Sequence, residues 1–138
     1  MNIRAFSRSD ADAGVALWQA CGLVVPQNNP LADIERKLLV NSELLLVGEY
    51  AGRVVASVMG GYEGHRGWIN YLAVDPAEQG KGYGRLMMAE VEHRLRAMGC
   101  PKINLQVRAS NEALIQFYES LGYGIDNVVG LGKRLAED

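Results

Sequence analysis

The chain has 138 residues, 49% of them hydrophobic and 22% charged, which suits one folded domain with its own core and excludes a disordered chain. Its 14 Lys and Arg against 16 Asp and Glu leave a formal charge of −2, so no basic field points to nucleic acid or an anionic membrane. No apolar stretch approaches a membrane span, no signal-peptide core opens the chain, and two cysteines without a Cys-x-x-Cys pair or a His cluster exclude a disulfide scaffold and argue against a zinc site. The expectation is a cytoplasmic α/β domain that binds no metal.

Asn2–Phe6 alternates polar and apolar residues and predicts a first strand. Ser9 and Asp12 have capping-box spacing and open a helix through Ala13, Val15, Leu17, Trp18 and Cys21, with Gly22 as its stop. Asn29 caps a second helix, with Pro30 at its first position and Leu31, Ile34 and Leu38 on one face. Leu44–Tyr50 reads as an apolar strand, Ala51-Gly52-Arg53 as a tight turn and Val54–Tyr62 as the hairpin partner. A second turn, Glu63–Gly67, leads into a strand over Trp68–Val74.

A glycine-rich run, Gln79–Gly84, precedes a long helix with Met87, Val91, Leu95 and Met98 on one face and Gly99 at its end. Ile103–Val107 predicts a strand. Asn111, or Ser110 before it, caps a last helix carrying Leu114, Phe117, Tyr118 and Leu121, stopped by Gly122. Short strands around Tyr123–Ile125 and Val128–Leu135 close the pattern. The order is βααβββαβαββ over a single domain, 1–138: a mixed sheet of the α/β or α+β kind, flanked by helices.

A glycine loop before a helix N-terminus makes an anion site, because the first N–H groups of the helix lack internal partners and the dipole adds positive potential. Gly80, Gly82 and Gly84 let phosphate approach the backbone, and Lys81 and Arg85 add charge. A P-loop is absent, since Gly84 is followed by Arg85-Leu86, and a dinucleotide fingerprint fails at Arg85 or at Met87. The spacing that fits is Gln79-x-x-Gly82-x-Gly84 after Leu72-Ala73-Val74-Asp75-Pro76. Here the chain resembles the GNAT superfamily of N-acetyltransferases, whose pyrophosphate loop reads Arg/Gln-x-x-Gly-x-Gly/Ala. Val107-Arg108-Ala109-Ser110-Asn111 and Phe117-Tyr118-Glu119-Ser120-Leu121-Gly122-Tyr123 follow in family order. The Gly61–Gly67 turn and the ending Leu131–Leu135 look most like the small bacterial YpeA-like branch.

The resemblance implies acetyl-CoA as cosubstrate. Its pyrophosphate falls to Gln79, Gly80, Lys81, Gly82, Tyr83, Gly84 and Arg85, its pantetheine arm to a bulged fourth strand around Leu72, Ala73 and Val74, with Asn111 touching the arm. Tyr118 matches the family phenol that protonates the departing sulfur. The acceptor is an amine, small or peptidic, expected between Pro26–Pro30, Asp33 and Arg36 on one side and Tyr62, Glu63, His65 and Arg66 on the other. Gln106 stands where many relatives carry a glutamate base, and Asn70 and Tyr71 face outward without being strong bases, leaving Glu63 and His65 as titratable candidates near the acceptor. Asp33, Glu35, Arg36 and Lys37 read equally well as an ordinary solvated helix face. The resemblance thus implies an N-acetyltransferase working by direct attack in a ternary complex, with a non-catalytic acyl-CoA-binding module as the alternative. Sheet edges in domains of this size also pair into homodimers.

Overall fold

Five successive buried residues, Leu44–Gly48, mark a strand covered on both faces, and the computed structural model, which describes residues 1–137, has helices on each side of it. The strands are β1 (Asn2–Ala5), β2 (Leu45–Tyr50), β3 (Arg53–Tyr62), β4 (Gly67–Val74) and β5 (Ile103–Leu105). They form one sheet in the order β1-β2-β3-β4-β5, antiparallel except for the parallel β4–β5 pair. The helices are α1 (Ala11–Ala20), α2 (Pro30–Lys37), α3 (Tyr83–Ala97) and α4 (Glu112–Ser120). The chain divides into two compact parts, Met1–Leu105 and the residues from Gln106 on.

In the first part, Phe6, Leu17, Trp18, Ile34, Leu45, Val47 and Ala73 form one core cluster. Met87, Met88, Val91 and Leu95 form the buried stripe of α3, the face anticipated from the sequence with Met88 added and Met98 removed, since the helix ends at Ala97 and Met98 is exposed. The helix comes so close to β3 that a Cβ on Gly60 would lie 2.6 Å from Val91 Cγ2, so only glycine fits there. Ala51 and Gly52 both take positive φ, 52° and 74°, the geometry of a type I′ hairpin turn. The second helix starts as predicted: the Asn29 side chain accepts from the Ala32 N–H at 3.1 Å, and Pro30 occupies the first turn.

Other expectations need correction. The capping box belongs to Ser7 and Asp10 rather than Ser9 and Asp12, and it opens a 3-10 turn ahead of α1. Asp10 is the better partner because it also receives Arg4 through two hydrogen bonds, at 2.7 and 2.8 Å. The fifth strand ends at Leu105, where its pairing with β4 stops, rather than at Val107. In the second part, α4 is capped as predicted, the Asn111 side chain accepting from the Leu114 N–H at 3.2 Å. The predicted strands around Tyr123–Ile125 and Val128–Leu135 do not form. Gly124, Gly130 and Gly132 dilute their β-propensity, and a strand without a paired neighbour leaves its backbone groups to water. Ile125, Val128, Val129, Leu131 and Leu135 are accordingly exposed.

Candidate functional site

Between β4 and α3 the chain turns sharply. The Asp75 carboxylate accepts from the Ala77 N–H at 2.9 Å and closes a 3-10 turn over Pro76–Glu78. Gly80 and Gly82 follow at φ +82° and +80°, a left-handed conformation that glycine adopts without a Cβ clash. Gly82 is the N-cap of α3 and brings no side chain to its first turn, which also holds no acidic residue. The helix's own ladder starts with the Leu86 N–H donating to the Gly82 carbonyl, so the first-turn N–H groups ahead of it point towards the helix end. An anion fits there on backbone donors and the positive end of the dipole. Lys81 is less mobile than anticipated: its ammonium donates to the buried Glu78 at 2.5 Å, which raises its proton affinity. Its charge at this loop is therefore shared with Glu78.

Strand β4 supplies the second component. Its pairing with β5 runs from Gly67↔Ile103 to Ile69↔Leu105 and stops. From Asn70 to Val74 it keeps β3 on one side, and no strand among the described residues pairs with the other. Leu72, Ala73 and Val74 lie on that open edge. The register against β3 slips by one residue, Ser57 facing Ala73 while Met59 faces Asn70, so β4 carries a bulge. Tyr71 sits in it at φ +52°, a conformation a tyrosine holds only at a cost of about 1–2 kcal/mol.

Three contacts offset that cost. The Tyr71 ring stacks on Trp18 with centroids 3.9 Å apart and planes 16° from parallel. Its carbonyl accepts from Ser57 Oγ at 2.7 Å, and that hydroxyl accepts from Trp18 Nε1 at 2.9 Å. Its phenol donates to Asp33 Oδ2 at 2.6 Å, and burial, then that carboxylate, hold it well above the ordinary tyrosine pKa. The phenol is a fixed donor and no base.

Beside the bulge opens a cavity of about 590 Å³. Leu23, Val40 and Met59 give it apolar walls; Asn28, Asp33, Arg36, Lys37, Asn70 and Tyr71 give it polar ones. The α1–α2 side of the expected acceptor region and Asn70 thus come together. The hairpin side does not: none of Tyr62, Glu63, His65 and Arg66 lines the cavity. Glu63 instead accepts from the backbone N–H groups of His65 and Arg66, which closes its own turn, and His65 is exposed.

In the second part of the chain, Tyr118 is the one buried residue of α4. Its ring meets Phe117 and Tyr123 edge-on, at centroid distances of 5.2 and 5.5 Å, and burial pushes its phenol up to about 12. Gln106 is exposed and lies beyond the end of β5; a Cβ on Gly130 would stand 3.1 Å from its Nε2. Cys21 packs as a small apolar residue, its thiol donating to the Val74 carbonyl at 3.2 Å and pushed up in pKa by burial.

The sequence profile of the "Acetyltransferase (GNAT) family" matches residues 10–123. The chain belongs to the GNAT acetyltransferases. It is 50% identical over 139 residues to "Acetyltransferase SG1711" of Sodalis glossinidius, covering 100% of this chain and 98% of that protein. "Acetyltransferase YE1169" of Yersinia enterocolitica is 47% identical over 138 residues, with the same coverage. Among solved structures, Ard1 from Thermoplasma volcanium superposes with a TM-score of 0.80 at 25% identity, over 91% of this chain and 83% of that one.

A GNAT acetyltransferase uses an acyl-CoA, and the uncapped start of α3 suits its pyrophosphate. Among the described residues no group of three or more His, Cys, Asp and Glu is placed to hold a metal, and no helix is long and apolar enough to cross a membrane. Sequence reasoning misses Trp18 and Ser57 of the bulge, weighs Tyr71 only as a weak base, and reads Lys37 only as part of a solvated helix face. The signal for Trp18 was present but reads as core, because an indole N–H that must find a buried partner looks no different in an apolar stripe.

Proposed function

We propose that this GNAT enzyme transfers the acetyl group of acetyl-CoA to the nitrogen of an amine, which attacks the thioester carbonyl directly in a ternary complex. The observation that carries the reading is the uncapped N-terminus of α3 following a β4 edge left open from Asn70 onward. In this reading the pyrophosphate lies on the backbone of Gln79, Gly80, Lys81, Gly82, Tyr83 and Gly84, with Arg85 adding charge. The pantetheine amides pair with Leu72, Ala73 and Val74 as a neighbouring strand would, and Asn111 reaches the same arm beyond its capping role. Tyr118 donates its O–H to the departing sulfur. Residues 1–138 act as one domain, since the family profile runs through both compact parts.

The amine enters through the cavity at Asn70 and Tyr71, where the acyl end of the arm meets the bulge. Glu63 and His65 keep only an outlying part in its approach, and Gln106 offers hydrogen bonds but no basic group. The Gly61–Gly67 turn and the ending Leu131–Leu135 support placement near the YpeA-like branch. A cytoplasmic location and pairing of sheet edges between two copies complete the reading. Thiol release from acetyl-CoA, followed across a panel of small amines and peptides, tests it. Acceptor-dependent release is the expected result; tight CoA binding without release for any amine would leave a binding module.

A further inference from the structure

Lys37, at the end of α2, is half-buried in the wall of the cavity, and among the described residues its ammonium meets no hydrogen-bond or ion-pair partner. Gly61 of β3 lies beside it, a Cβ there standing 3.6 Å from Nζ. Removal from water lowers its proton affinity, and the charge of Glu43 counteracts this in part. A half-buried cation without a contacting carboxylate among the described residues is unfavourable in the empty protein, and an anion arriving from outside relieves it. The CoA pyrophosphate is not that anion, because none of Gln79–Arg85 lines the cavity.

Asp33 stands one helical turn from Lys37 on α2, its carboxylate anchored by the Tyr71 phenol at 2.6 Å and approached by Arg36 at 3.4 Å. The cavity therefore offers a negative pole beside the β4 bulge and a positive pole next to Gly61. We propose that the acceptor is a small amino carboxylate, its amine towards Asp33 and Tyr71 and its carboxylate on Lys37. A singly charged carboxylate suits this arrangement better than a phosphate, whose second charge would face Asp33. The volume, about 590 Å³, is that of a small-molecule site. The assignment rests on the acetyl-transfer reading for its reaction, but the charge pattern is independent of it.

The test uses the full chain with glycine, β-alanine, 4-aminobutyrate and 6-aminohexanoate, each compared with the alkylamine of matching length. The readout is the ratio of kcat/KM within each pair, by thiol release. At least one pair should favour the amino acid by about tenfold or more, the scale of one charge-assisted hydrogen bond. Lys37→Met should bring that ratio close to one, and Lys37→Arg should keep it. A ratio near one for every pair in the wild type, or a preference unchanged in Lys37→Met, overturns the proposal. The same ratios are read as dissociation constants by NMR titration. If no amine is acetylated, the transfer reading falls, while a Lys37-dependent preference in binding still upholds the carboxylate site and its absence rejects it.

Discussion

At the scale of single residues, burial and charge pull two side chains in opposite directions. Burial takes the Tyr118 phenol up to about 12, while a parent thiol lies near ~8.5, so outright proton transfer to a thiolate is uphill by roughly 5 kcal/mol. In the proposed reaction such a phenol suits the role of hydrogen-bond donor to sulfur as charge develops there, rather than that of a full proton donor. Tyr118→Phe should lower kcat by roughly 10²-fold while CoA affinity is retained, since the ring and its packing stay. An unchanged kcat would leave Tyr118 as a packing residue. Asp10 shows the reverse shift: the hydrogen-bonded Arg4 guanidinium holds its carboxyl at about 2, despite burial pushing the other way. Its folded pKa lies below the unfolded one, so the unfolded chain binds more protons between about pH 4 and pH 2. The stability it contributes, about 2 kcal/mol, is present above pH 4 and is lost as pH falls through that window. Tm measured from pH 5 to pH 2 should fall less steeply in Asp10→Asn than in the wild type; parallel curves would show that the ion pair carries no such linkage.

At the scale of elements, the two glycines at the head of α3 are not equivalent. Gly82 needs its positive φ, whereas Gly84 lies inside the first helical turn. An aspartate at position 84 meets the positive end of the dipole and should raise the stability of the free protein by about 0.3–1 kcal/mol, while opposing a pyrophosphate on the same N–H groups. Gly82→Asp should lose CoA binding and also stability, by about 1 kcal/mol or more, because an L-residue is strained there. Urea midpoints and CoA titrations of both variants separate the effects. Retained CoA affinity in both would reduce the loop to a structural turn. The β4 bulge is testable in the same way: Ser57→Ala strips the Trp18 N–H and the Tyr71 carbonyl of their shared partner and should cost about 1–3 kcal/mol. A change within error in the urea midpoint would mean that stacking on Trp18 alone holds Tyr71 in place. Helix starts were legible in advance where a side chain does the capping, as at Asn29 and Asn111, because the cap is local chemistry. The bulge was not, because it depends on the one-residue slip of β4 against β3 and on Trp18, 53 positions before Tyr71.

At the scale of the whole molecule, the mixed sheet with its glycine-loop helix was legible from hydrophobic period and turn chemistry, since both are written within a dozen residues. The cavity was not, because α2 shows the same charges whether it faces water or a pocket: Asp33 and Lys37 line it only because β3 and β4 stand behind them. The two closing strands fail for the converse reason, an alternating pattern without a partner at Val128–Leu135. What joins the legible and illegible halves is the ligand. A molecule that spans the α3 N-terminus and the open β4 edge binds only when both are folded, and so stabilises by RT ln(1 + [L]/Kd). At about 100 times Kd the gain is about 2.7 kcal/mol, which for a chain of this length raises Tm by roughly 10 °C. NAD should give a much smaller shift at equal concentration, because it lacks the pantetheine arm proposed to pair with Leu72–Val74. Truncating that arm isolates the β4 contribution: 3′,5′-ADP, which keeps phosphates for the loop but has nothing to lay along β4, should shift Tm less than CoA. Equal shifts for 3′,5′-ADP and CoA would confine binding to the loop and remove the open edge from the site.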